Sequence, residues 1–76
     1  MVNTQYKEIA EYLKEAKLAL ENAEDIIRNK IKKISEYLDE NPDEGQSFEL
    51  GFLKIWLEDI EDIIGMIEDI IRDLQS

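Results

Sequence analysis

The chain has 76 residues, enough for one small domain at most, and a core of that size is marginal without a staple or a partner chain. It contains no cysteine and no histidine, which excludes disulfides, thiol chemistry, zinc–thiolate sites and the commonest general base. With 19 acids against 9 bases the formal charge is −10, so the surface repels nucleic acid and anionic lipid and attracts basic protein surfaces.

At 43% hydrophobic, the chain has enough isoleucine and leucine to build a core. The first residues, Met-Val-Asn-Thr-Gln-Tyr-Lys-Glu, are polar and hold no apolar signal-peptide segment. No stretch approaches the 18 or so consecutive apolar residues of a membrane span. The expectation is a soluble, cytoplasmic protein with no membrane contact.

Helix one is predicted over about residues 4–40. Apolar residues fall at Tyr6, Ile9, Leu13, Ala16, Leu20, Ala23 and Ile27, in steps of three and four. The row continues through Ile31, Ile34 and Leu38. The steps from Ala23 to Ile27 to Ile31 are four and four, a stutter that locally unwinds a left-handed supercoil. No Gly or Pro interrupts the segment, so one helix on the order of 50 Å is expected. A break near Arg28-Asn29-Lys30 is the alternative and would give a three-helix bundle monomer.

The linker is predicted at 41–46, where Asn41-Pro42-Asp43-Glu44-Gly45-Gln46-Ser47 gathers the turn-forming residues. Asn41 before Pro42 reads as one helix cap and Ser47 as another. A start near 47 is favoured, with a short helical turn possible at 42–45. Asp39, Asn41 and Asp43 stand at the first, third and fifth places of a loop that resembles an EF-hand calcium site. The resemblance then fails, because Gly45 is one place late, Pro42 stiffens the loop, and Leu50 stands at the twelfth place. No cofactor or metal is expected.

Helix two is predicted over about 47–75, antiparallel to helix one because the connection is short. Leu53, Trp56, Ile60, Ile63, Ile67, Ile70 and Leu74 alternate three and four without a fault. A second row, Leu50, Leu57, Ile64 and Ile71, runs beside it at intervals of seven. Together they cover about 160° of the helix, more than a two-stranded seam uses. The first row is therefore assigned to the hairpin and the second to the core of a homodimer. The fold expected is all-α: an antiparallel two-helix hairpin that dimerises into a four-helix bundle.

Two features are left for function. Phe48, Phe52 and Trp56, spaced four apart with Ile55 beside them, form an aromatic patch of the residue types enriched in binding hot spots. The acids Glu58, Asp59, Glu61, Asp62, Glu68 and Asp69 flank the apolar stripe. Residues 41–76 carry ten acids and only Lys54 and Arg72 as bases, whereas 1–40 carry nine acids and seven bases. A basic cluster, Arg28, Lys30, Lys32 and Lys33, lies on helix one, where it can offset some of those acids.

Paired carboxylates such as Glu58 and Asp62 arise by chance on so acidic a helix, so no catalysis is expected. The reading is a small acidic interaction module, an adaptor, chaperone-like or immunity-type protein. Its partner would be a protein with a basic or apolar surface. The alternative is a nucleic-acid mimic whose carboxylates occupy the basic groove of a DNA- or RNA-binding protein. In charge, size and helicity the chain resembles small acidic phage proteins that inhibit such enzymes, including anti-CRISPR-like anti-defence proteins. Its acidity and hairpin topology also resemble the small secreted WXG100 hairpins, although the chain is short for that family. Phe48-Glu49-Leu50-Gly51, however, replaces their Trp-x-Gly turn, and their C-terminal Tyr-x-x-x-acid signal is missing.

Overall fold

The computed structural model describes residues 4–76. Helix α1 spans Thr4–Glu40 and helix α2 spans Glu44–Gln75. They pack against each other as a hairpin, with no strand among the described residues. The result is a rod of 58 × 15 × 14 Å. No described helix is long and apolar enough to cross a membrane.

Helix α1 runs through Arg28-Asn29-Lys30 without a break, so the three-helix alternative does not occur. Its end is closed by Asn41, whose N–H and Nδ2 both donate to the Tyr37 carbonyl at 2.8 and 3.4 Å. Asn41 thus closes the end of α1 from just outside it rather than capping α2.

Helix α2 begins three residues earlier than the sequence suggested. Asp43 is the cap: its backbone is extended, at φ −148° and ψ 116°, and its Oδ1 accepts the Gln46 N–H at 3.2 Å. A carboxylate here satisfies one orphan donor and also meets the positive end of the helix dipole. Ser47, the other candidate, lies inside the helix, and its N–H donates to the Asp43 carbonyl as part of the first turn. The connection therefore shrinks to Asn41-Pro42-Asp43.

The line of contact between the helices differs from the sequence reading in two ways. On α1 the buried or half-buried row is Ala10, Leu13, Lys17, Leu20, Glu24, Ile27, Ile31, Ile34 and Leu38. These steps alternate three and four from end to end, so the stutter disappears. It arose from choosing Ile9, Ala16 and Ala23, which are apolar, over their neighbours Ala10, Lys17 and Glu24, which are the residues in the seam. On α2 the seam is Leu50, Leu53, Leu57, Ile60, Ile64, Ile67, Ile71 and Leu74. The row set aside for a second copy, Leu50, Leu57, Ile64 and Ile71, is thus spent within the hairpin, while Trp56, Ile63 and Ile70 stay exposed. The physical reason is geometric. Seven-residue repeats on two antiparallel helices can meet along one straight line, and α1 offers an unbroken line only in this register.

The cap assignment has a direct consequence. Asp43→Ala lowers stability by about 1 kcal/mol in a denaturant melt, while Ser47→Ala leaves the midpoint unchanged. Equal effects would show that the helix starts elsewhere.

Candidate interaction surface

Two charged residues occupy the seam. Glu24 is only 8% exposed, and Lys17 is half-buried. Burying a carboxylate is costly unless it is paired and hydrogen-bonded. Arg28, one turn on, supplies the partner: its Nη2 donates to Glu24 Oε2 at 2.9 Å and to Glu61 Oε1 of α2 at 3.0 Å. One guanidinium thus neutralises a buried acid and ties the helices together. Partial desolvation lowers the Arg28 pKa, but hydrogen bonds and charge from Glu24 and Glu61 outweigh it, and the net direction is up. Lys17 escapes the seam by its long stem and reaches Glu68 at 3.5 Å.

The ion pairs also fix which flanks of the two helices share a side. Arg28 and Glu61 each follow a seam residue by one position; Lys30 and Glu49 each precede one, and they meet at 2.9 Å. Adjacent residues lie about 100° apart round a helix. In an antiparallel pair the same offset on both helices therefore points to the same side of the hairpin.

The two sides differ sharply. The side that follows the seam carries Glu11, Lys14, Glu21, Asp25, Arg28, Lys32 and Asp39 on α1, and Lys54, Glu58, Glu61, Glu68 and Arg72 on α2. It is wet and ionic, with Leu18 its lone large apolar residue. The side that precedes the seam carries Ile9, Tyr12, Ala16, Ala19, Ala23 and Ile26 on α1, and Phe52, Trp56, Ile63, Met66 and Ile70 on α2. Most of these are open to solvent, Ile26 at 69% and Met66 at 63%. The Phe52 and Trp56 rings stack with centroids 5.9 Å apart.

The four residues of the expected aromatic patch are all exposed but do not share one face. Phe52 and Trp56 belong to the apolar side. Phe48, 71% exposed, and Ile55 point away from α1, with Phe52 beside them around a shallow apolar dimple. The acids are likewise divided. Glu61 pairs with Arg28, Glu68 with Lys17, and Asp69 with Arg72. The carboxylates of Glu58, Asp59 and Asp62 have no ion-pair or hydrogen-bond partner among the described residues.

The apolar side as a continuous face was not read from the sequence. The signal was present in Ile9, Ala16 and Ala23 on one helix and Trp56, Ile63 and Ile70 on the other. Apolar periodicity alone assigns these residues to the seam in place of Lys17 and Glu24. No family model, curated protein or solved structure matches the chain.

The pair at Glu24 makes an asymmetric prediction. Arg28→Ala leaves a buried carboxylate unpaired and lowers stability, whereas Glu24→Leu fills the seam and leaves stability unchanged or raised. Denaturant melts of both variants check it; equal losses would contradict the assignment of Glu24 to the seam.

Proposed function

We propose that this protein is a non-catalytic helical interaction module that works as a homodimer, two hairpins closing into a four-helix bundle. The observation that carries the reading is the uncovered apolar side. The chain exposes 5945 Å², against roughly 4,800 Å² for a compact monomer of its mass. The excess of roughly 1,100 Å² is close to the 800 Å² per partner of a standard interface. Burying one isoleucine or leucine is worth about 1.5–3 kcal/mol, so leaving this side wet costs a substantial part of the roughly 5–15 kcal/mol that stabilises a typical domain.

In such a dimer Phe48 and Ile55 stay outside both the seam and the dimer face. They are the apolar contacts left for a protein partner, with Glu58 and Asp62 nearby to favour a basic rim. The nucleic-acid mimic has less support, because Glu61, Glu68 and Asp69 are already neutralised within the chain.

Light scattering at micromolar concentration is expected to give twice the 8.9 kDa chain mass. Ile63→Asp is expected to yield monomer, and Ile64→Asp, in the seam, to unfold the hairpin. Two copies at −10 each repel, so the dimer tightens as salt screens them. A wild-type chain that stays at monomer mass at high salt overturns the reading.

A further inference from the structure

We infer that the second copy docks on the apolar side with both linkers at the same end of the bundle, its two-fold axis parallel to the helices. The inference rests on the homodimer reading and fixes its geometry. The apolar side is uneven. On α1 its middle is a row of small residues, Ala16, Ala19 and Ala23, and its linker-proximal part carries Lys30 and Lys33. On α2 it is bulky throughout, with Phe52, Trp56, Ile63, Met66 and Ile70, and it carries the acids Glu49, Asp59 and Asp73.

A two-fold axis along the rod lays α1 of one copy over α2 of the other at the same level. The ion pair between Lys17 and Glu68 sets those levels. Ala16, Ala19 and Ala23 then receive Ile70, Met66 and Ile63 of the second copy, small against large, as close packing needs. Lys33 and Lys30 fall over the stacked Phe52 and Trp56 rings of the second copy, where cations are favoured, with Lys30 one turn from its Asp59.

The other closed arrangement has its axis across the rod and the linkers at opposite ends. It lays α1 on α1 and α2 on α2. With the axis level with Asp59, Ala16, Ala19 and Ala23 then face the Lys30, Lys33 and Tyr37 end of the second copy's α1, while the bulky residues of α2 collide, Phe52 against Met66 and Trp56 against Ile63. Asp59, close to the midpoint of the Glu44–Gln75 helix, falls against Asp59 of the second copy. Both defects disfavour it.

The chain has no cysteine, so a single introduced one carries a unique spin label. Asp39→Cys places it on the polar side at the linker end, clear of the dimer face. Pulsed electron resonance on the dimer is expected to give a label separation under about 30 Å, set by helix spacings of 8–10 Å and the label arms. Glu11→Cys, at the other end of the rod, is expected to be similarly short. Long separations at both sites, approaching the 58 Å of the rod, overturn the orientation and leave the homodimer standing. Monomer mass in the unlabelled protein overturns both.

Discussion

One line of side chains, Ala10 to Leu38 on α1 against Leu50 to Leu74 on α2, joins the two helices, and its register decides what every other face presents. The line is straight because both helices keep an unbroken seven-residue repeat along it. Keeping that repeat places Lys17 and Glu24 in the seam. The hairpin accommodates them through Arg28, which bonds the buried carboxylate, and through the reach of Lys17 to Glu68.

Once the seam is set, the remaining residues divide without further choice. Positions just after it are almost wholly polar and hold the Arg28–Glu61 pair, and positions just before it hold alanines, isoleucines and aromatics, with the Lys30–Glu49 pair toward the linker end. Both helices are rich in acids but the bases concentrate on α1, and the pairs Lys17–Glu68, Arg28–Glu61 and Lys30–Glu49 all cross between helices. Each exposed pair is worth little alone. Their joint effect is to favour the register in which all three meet. Stability has to come from apolar burial. The described chain buries only Ala10, Ile34, Leu53 and Ile64 among its hydrophobic residues, which is why the second apolar face matters to the fold as well as to function.

The helices, their antiparallel pairing and the linker were legible in the sequence, because periodicity and Pro-Gly punctuation are local signals. The cap was misplaced because Asp43, Ser47 and Asn41 are all good cap residues, and only geometry distinguishes the one whose carboxylate reaches the Gln46 N–H. The seam was misread at Glu24 because hydropathy scores a glutamate as outward. Its pairing with Arg28 four residues on is as visible in the sequence as the apolar row, but a pair of that kind is usually a solvated one. The division of the α2 stripe followed from the same error. Choosing Ala23 over Glu24 turns α1 by one residue, and which row of α2 then appears to be left over changes with it.

Trp56 is the only tryptophan and lies on the apolar side, so its fluorescence reports directly whether that side is covered. In the dimer its emission is expected to be shielded and blue-shifted at high concentration, and to move red and become more open to quencher on dilution. Emission from a solvent-exposed Trp56 that stays the same from nanomolar to high micromolar protein would contradict it.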